Sequence, residues 1–346
     1  MRAVIAGSGS SFPAAVSQDA LWEALFSDDA APLARRLWRS AGVQSRHGVA
    51  VPPIDDVRAW TTEARMRRFG HEALPLSKEA VASCLAGAGV DAAEVDLLTV
   101  VSCTGYTSPG LDVLVARDLG MPSQLERVQL GHMGCYAALP GLAVVADAAV
   151  ARDRTGVLLC VELSSLHVQP SCDDIGQVVA HALFSDAAAA VAVRPGGPGL
   201  EIIDIASRSD PALAELLSWD ITDHGFRVHL SPEIPAAIDA HVGAMVGDLL
   251  APHGLEPVDV AAWAIHPGGP RVVDRVGERL GLDDAALGPT RAVLAAHGNC
   301  SSPTVLLVLE QLVAEGALGD GDHVVCVAFG AGLTLYAALL RRRTAE

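Results

Sequence analysis

Short apolar runs recur along the chain, and stretches with helical spacing of apolar residues separate them. Leu97–Val101, Gly156–Val161, Ala261–Ile265 and His323–Ala328 each read as a strand. Strands alternating with helices argue for an α/β fold. The clearest interruption is Pro195-Gly196-Gly197-Pro198-Gly199, a cluster of turn residues. The pattern on its two sides is similar. Before it, strand Leu97–Val101 leads to Gly134-Cys135, then to an apolar helix from Tyr136 to about Ala151 and a strand at Val157–Val161. After it, strand Ala261–Ile265 leads to Gly298-Asn299-Cys300, a helix from about Pro303 to Ala314 and a strand at Val324–Ala328. Cys103 and His266 lie 163 residues apart, Cys135 and Cys300 165, Leu159 and Val325 166. Equal order at nearly equal spacing predicts an internal duplication. Cys135 and Asn299 then occupy matching strand-to-helix turns, which the pseudo-symmetry brings to one central cleft. Such turns favour ligands because helix N-termini present free N–H groups.

Composition narrows the class. Hydrophobic residues are 51% of the 346 and aromatics 4%, so the apolar mass is Ala, Val and Leu, beside 33 Gly. Small side chains suit closely packed layers, and the length suffices for a large core. The formal net charge of -17 argues against a nucleic-acid partner, which would need clustered Lys and Arg. The basic cluster Arg341-Arg342-Arg343 reads as the end of a helix or tail. No uninterrupted apolar run reaches the roughly 18 residues of a membrane span. Ala137–Val150 is apolar but carries Asp147 and reads as a buried helix. The N-terminus turns to Gly and Ser too early for a signal-peptide core. Seven cysteines, Cys84, Cys103, Cys135, Cys160, Cys172, Cys300 and Cys326, have irregular spacing and no C-x-x-C. That fits neither a disulfide framework nor a zinc site, and a reducing cytoplasm is the expected setting.

Three residues stand in places suited to chemistry. Cys135, in Gly131-His132-Met133-Gly134-Cys135, precedes a helical run, and a helix N-terminus favours a thiolate. His266 ends an apolar strand and opens the turn Pro267-Gly268-Gly269-Pro270. Asn299, in His297-Gly298-Asn299-Cys300-Ser301-Ser302, can donate to a developing oxyanion. Taken singly, a core cysteine, a capped surface histidine and a helix N-cap account for them. Together they fit thioester exchange and carbanion chemistry, and in composition alone a papain-like hydrolase, whose sequence contexts are missing. Gly7-Ser8-Gly9-Ser10-Ser11-Phe12 lacks the third glycine of a dinucleotide fingerprint and reads as a turn after the first strand.

The contexts of these residues resemble those of the type III polyketide synthases, the relatives of chalcone and stilbene synthases. His266-Pro267-Gly268-Gly269-Pro270 resembles the family's histidine motif, and Gly298-Asn299-Cys300-Ser301-Ser302 its asparagine motif, 33 residues on. Gln177–Ala189 resembles the stretch that supplies a phenylalanine beside the cysteine, here Phe184. Ala328-Phe329-Gly330-Ala331-Gly332-Leu333-Thr334 resembles its glycine-rich loop. Departures from the plant pattern are Ala331 for proline, Ala180-His181 before Phe184, and Val228 where a second gating phenylalanine is usual. His167 falls where a cavity-lining Thr is common, and Ser108 where a residue reaches the dimer partner's cavity.

The resemblance implies a thiolase fold with a duplicated, five-layered αβαβα core. Its halves would be residues 1–194, carrying the nucleophile, and 195–346, carrying His266 and Asn299. It implies condensation of acyl-CoA starters with malonyl-CoA on Cys135, with Phe184 as an apolar wall that favours decarboxylation. It also implies no cofactor and no metal, a homodimer, and a cavity lined by Cys103, Ser108, His167, Val228, Gly330 and Ala331. Arg36, Arg39, Gly268 and Gly269 are the expected CoA contacts. Two alternatives share the fold: an initiation-type β-ketoacyl-acyl-carrier-protein synthase, which His-Pro-Gly-Gly-Pro disfavours, and a non-catalytic condensing-enzyme partner subunit, which would usually lack the cysteine.

Overall fold

The computed structural model describes residues 2–26, 32–51, 55–169 and 174–344, so Cys172 lies outside the described residues. The N-terminal strands are β1 (Ala3–Ser11), β2 (Ala15–Ser17), β3 (Ser45–His47), β4 (Leu97–Ser102), β5 (Glu126–Gly131), β6 (Gly156–Leu163) and β7 (Asp186–Pro195). Those that follow are β8 (Gly199–Ser209), β9 (Leu217–Thr222), β10 (Gly225–Leu230), β11 (Val260–Ile265), β12 (His323–Gly330) and β13 (Thr334–Arg343). The helices are α1 (Gln18–Leu25), α2 (Pro32–Arg39), α3 (Thr62–Ala88), α4 (Leu111–Asp118), α5 (Ala138–Arg152), α6 (Ile175–Leu183), α7 (Ile234–Leu250), α8 (Pro270–Leu280), α9 (Asp284–His297) and α10 (Thr304–Ala314). The expected strands are all present, each running one or two residues further at one end or the other.

Nine strands form one mixed sheet in the order β11-β12-β13-β8-β1-β7-β6-β4-β5. The duplication is visible in its pairing. β4 and β6 are parallel, and β7 and β1 follow antiparallel. β11 and β12 are parallel, and β13 and β8 follow antiparallel. β1 meets β8 at Val4–Glu201 and Ile5–Leu200, which joins the two series. The turn-rich Pro195–Gly199 segment carries the chain past the end of β1, from β7 to β8.

The hydrophobic clusters give the layers. One core holds α5 and α10 between the inner faces of both strand series, with Leu139, Leu142, Leu158, Val305, Leu309, Val324 and Cys326 all at 3% exposure or less. A second lies between α3 and the outer face of β4, β6 and β7. A third lies between α7, α8 and the outer face of β11, β12 and β13. Helix, sheet, paired helices, sheet and helix make five layers, the thiolase arrangement expected. Strands covered on both faces must be apolar throughout, which is why Gly156–Leu163 (GVLLCVEL) is buried at every position. Each fully buried Leu contributes about 1.5–3 kcal/mol relative to exposure. The helix at Ala138–Arg152 is buried as its composition predicts, with Asp147 at the point where it meets solvent. Ile234–His253 is long and apolar enough to cross a membrane by length and composition, but Ile238, Val242, Met245, Val246 and Leu249 pack it into the third core.

Candidate active site

Each series delivers a residue at the same end of its strands. Cys135 lies in the turn between β5 and α5, where Ala137 N–H donates to Gly134 O at 3.0 Å. Gly134 takes φ 95°, which a side chain would resist. His266 directly follows β11 and stays in its ladder, donating N–H to Val327 O at 2.8 Å. Asn299 lies between α9 and α10, its backbone paired with the segment after α6: Asn299 N–H donates to Leu183 O at 2.8 Å, and Ser185 N–H to Asn299 O at 2.9 Å. The end of β12 ties these turns together. A Cβ on Gly330 would stand 3.0 Å from Cys135 N, and the neighbouring Phe329 ring meets the His266 ring edge-on at 5.4 Å.

A cavity of about 720 Å³, its open mouth included, lies over Cys135. Cys103, Thr104, Ser164 and His167 line it from the ends of β4 and β6. Gln177, Ala180, His181 and Phe184 line it from α6, and Ser301 and Ala331 from the C-terminal half. Its far wall is the β9–β10 hairpin, through Leu217, Trp219, Phe226 and Val228. Three bonds fasten that wall. Gln177 Nε2 donates to Val228 O at 2.6 Å, Phe226 N–H donates to His167 Nδ1 at 3.0 Å, and His167 Nε2 lies 2.6 Å from Thr104 O. An accepting Nδ1 leaves the proton on Nε2, so His167 is a neutral imidazole with both nitrogens used. Its ring also stacks on Phe226 at 4.3 Å.

The electrostatics are set by burial. Cys135 keeps part of its surface open to the cavity. Desolvation pushes its thiol up to about 12, opposed by a hydrogen bond from the Ser301 side chain and reinforced by the Glu162 charge. Burial also pushes His266 down to about 3, His167 to about 4 and His181 to about 4. His266 is 1% exposed, and its Nδ1 has no hydrogen-bond partner among the described residues. Asn299 Oδ1 accepts from Ser301 N–H at 2.9 Å, which fixes the amide oxygen and leaves the NH₂ as the free donor of the side chain. Behind Cys103 sits Glu162, fully buried at the end of β6. It accepts from Ser302 Oγ at 2.6 Å, Thr104 Oγ1 at 2.7 Å and Cys103 N at 2.9 Å. Burial raises its carboxyl above the ordinary range despite those bonds. Cys103 Sγ accepts from Gly134 N–H at 3.1 Å.

Cys103, Cys135, His167, Phe184, Val228 and Ala331 therefore line one cavity, whereas His266 and Asn299 are buried and do not line it. Two of the expected cavity residues lie outside this lining, and the single-residue alternatives for His266 and Asn299 do not fit. Gly330 is not in the cavity wall, because its bare Cα is the contact that lets β12 reach the Cys135 backbone. Ser108 is exposed on the surface, since the chain leaves the sheet after Cys103 before reaching it. His266 is a buried residue, not a capped surface histidine. Asn299 is not a helix N-cap, because α10 begins only at Thr304. Arg36 and Arg39 lie on the exposed face of α2, outside the cavity lining. Gly268 packs under the Phe329 ring, and Gly269 faces Leu183. Of the cysteines, Cys84, Cys160, Cys300 and Cys326 are buried free thiols, as expected of inert core residues. Glu162, Thr104, Ser301 and the hairpin residues Trp219 and Phe226 escaped the sequence reading. A lone carboxylate ending an all-apolar strand was a visible signal for Glu162.

Both halves match models of one family, described as chalcone and stilbene synthases: the N-terminal domain over residues 49–197 and the C-terminal domain over 205–344. The chain belongs to this family. It is a type III polyketide synthase, a condensing acyltransferase. Its sequence is 38% identical over 324 residues to 1,3,6,8-tetrahydroxynaphthalene synthase of Streptomyces peucetius subsp. caesius, covering 89% of this chain and 83% of that one. It is 32% identical over 322 residues to 3,5-dihydroxyphenylacetyl-CoA synthase of Streptomyces toyocaensis, covering 89% and 82%. The solved 1,3,6,8-tetrahydroxynaphthalene synthase from Streptomyces coelicolor A3(2), a bacterial type III polyketide synthase, superposes with a TM-score of 0.92 at 27% identity over 100% of both chains. These matches favour the polyketide synthase over the carrier-protein-dependent synthase and the non-catalytic partner subunit.

Proposed function

We propose that this polyketide synthase builds its product on Cys135 from CoA thioesters, extending an acyl starter with malonyl-CoA and closing the chain to an aromatic or pyrone ring. The observation that carries the reading is that Ser301, from the Asn299 turn, hydrogen-bonds Cys135 and lines the same apolar cavity, while the end of β12 touches the Cys135 backbone at Gly330 and the His266 ring through Phe329. Cys135 Sγ gives its proton to His266 and attacks the starter's thioester carbonyl. The carbon–sulfur bond to CoA breaks, and CoA leaves with that proton. A lone thiolate is opposed here by burial, and so is a lone imidazolium. A thiolate–imidazolium pair is neutral overall, so each charge offsets the other's desolvation.

Malonyl-CoA then binds with its thioester oxygen toward His266 and the Asn299 NH₂. The carbon–carboxylate bond breaks, CO₂ leaves, and the electron pair becomes an enolate whose oxygen these two donors stabilise. The enolate carbon attacks the acyl carbonyl on Cys135, and Sγ departs as thiolate. Phe184 offers the malonyl carboxylate no hydrogen bond, which favours its loss as neutral CO₂. Arg36 and Arg39 supply positive charge for CoA phosphates, and loss of CoA affinity in Arg36→Ala tests that. A homodimer, with Ser108 facing the partner, and a cytoplasmic setting belong to the same reading.

Val228 in place of a larger side chain leaves room for a bulky or long-chain starter. The resemblance to the two Streptomyces synthases favours a polyhydroxylated aromatic product. The test is a mass-resolved assay with malonyl-CoA alone and with short, aromatic and long acyl-CoAs, beside Cys135→Ala. Products heavier than the starter by two-carbon units, absent from the variant, establish the reading. Turnover only with substrates on a carrier protein would overturn it.

A further inference from the structure

Asn299 acts, in the reading above, through a side chain that must hold one orientation, and its turn rests on a second group of residues that the chemistry does not use. Three short segments run side by side behind it: β3, the Leu183–Ser185 segment, and Gly298–Cys300. The first grips the second. Arg46 donates to Phe184 O at 2.9 Å and to Ala182 O at 2.5 Å. His47 N–H donates to Ser185 Oγ at 2.9 Å. The second pairs with Asn299 through the backbone bonds given above. Gly298 crosses so closely that a Cβ there would lie 2.9 Å from Leu183 O, at φ 71°.

A side-chain link closes this bracket. His47 Nε2 lies 3.0 Å from His297 Nδ1, and His47 Nδ1 lies 3.0 Å from Pro13 O. Phe12 stacks on His297 at 4.3 Å and tilts over His47 at 4.7 Å. Proton positions follow from the partners. A carbonyl only accepts, so His47 carries its proton on Nδ1 and presents a lone pair at Nε2. His297 must then donate its Nδ1–H to that lone pair. Both rings are neutral in this arrangement, and burial lowers the basicity of each, His297 to about 4. His297 ends α9 two residues before Asn299, so the bond ties the entry to the Asn299 turn, from the C-terminal half, onto a strand of the N-terminal half.

We propose that His47 and His297, clamped by Phe12, form a positioning pair that holds the Asn299 amide in line for decarboxylation. Neither ring lines the main cavity with Cys135, so the pair acts through the backbone of the Asn299 turn. Loading of the starter on Cys135 does not depend on it to the same degree, because Gly134 and Gly330, outside the Asn299 turn, also hold the Cys135 backbone.

The inference rests on the role of Asn299 proposed above, and two partial reactions separate the two. CO₂ release from malonyl-CoA reads the Asn299 step, and intact-mass detection of acyl-Cys135 reads loading. His297→Phe should lower CO₂ release by about tenfold or more while loading stays within about twofold, the penalty of a small misplacement. His297→Asn, whose amide N–H stands near the lost Nδ1–H, should restore release to within about threefold of wild type. His47→Gln and His47→Met form a second pair of similar bulk, with and without an acceptor for His297, and should differ in the same sense. This pair keeps the test valid if His297→Phe loses its thermal unfolding transition. Equal loss in both partial reactions with no rescue by the conservative variants, or no loss at all, would overturn the positioning role. A wild-type enzyme that releases no CO₂ would overturn the parent reading, and this inference with it.

Discussion

Cys135 and Cys300 stand at matching turns of a duplicated fold, each just before a central helix of the shared core. Burial pushes both thiols up to about 12. They differ in access and in neighbours. Cys135 opens onto a cavity and takes a hydrogen bond from the Ser301 side chain. Cys300 also takes a serine hydrogen bond, from Ser185, but it is fully buried and donates to His297 O at 3.5 Å. In the proposed reading the N-terminal turn therefore holds a nucleophile, while the C-terminal turn uses the neighbouring Asn299 and keeps its cysteine as packing. The strand ends show the same divergence, with Cys103 directly following β4 and His266 directly following β11. Duplication provides equivalent positions, and the environment decides which residue type at each can act.

The largest test of this contrast is the pair Cys135→Ala and Cys300→Ala. The first should abolish product, and the second should leave turnover within about twofold, since it removes little volume from the core. Comparable losses in both would end the distinction. The next effect belongs to His266→Ala. Removing one oxyanion donor should cost about 100–1000-fold in CO₂ release. Without the imidazole to take its proton, Cys135 should stay a neutral thiol until near pH 12. Its alkylation by iodoacetamide should then fall at pH 7 and climb about tenfold per pH unit above it, since only the thiolate reacts. A pH-independent alkylation in that variant would remove His266 from the pair.

A smaller effect is expected where the halves touch. Gly330→Ala puts a methyl 3.0 Å from Cys135 N and from the Tyr136 ring. It should cost about 1–3 kcal/mol of stability, as overpacking does, and lower turnover with it. Gly247→Ala, on the outer helix α7 with nothing within 4 Å, should instead gain about 0.5–1 kcal/mol. Thermal unfolding and turnover of the two variants read both signs. Val228→Phe should narrow the accepted starters toward short acyl groups, and an unchanged range would remove Val228 from the cavity's size control.

The smallest effect is a pH slope. His167 is held neutral to about pH 4 when folded but takes a proton near 6.5 when unfolded. The unfolded chain then binds more protons as pH falls through that window, so stability drops by up to about 1.4 kcal/mol per pH unit for this residue. Wild-type stability should decline from pH 6.5 to 4, and His167→Gln should show a shallower decline. Equal slopes in chemical denaturation would show that His167 titrates alike in both states.

The legible features were the local ones. Cys135, His266 and Asn299 each sit in a turn whose glycines or prolines mark it, Phe184 stood out only through the family resemblance, and the duplication showed in the spacing of the strands. Glu162 could be noticed as a charge in an apolar strand, but not as the acceptor for Ser302, Thr104 and Cys103, which come from two other places in the chain. Trp219 and Phe226 gave no signal, because a hairpin that caps a cavity looks like any exposed hairpin until His167 and Gln177 fasten it. His47 and His297 were unremarked for the same reason, being 250 residues apart.

Chain order thus carried the α/β class, the repeat, the family and the candidate reacting residues, since strand periodicity and turn chemistry are properties of neighbours in sequence. Folding settled the cavity wall, the protonation states and the partners of each buried polar group. Those depend on which surfaces meet and how completely they exclude water, and desolvation has no counterpart in a linear spacing.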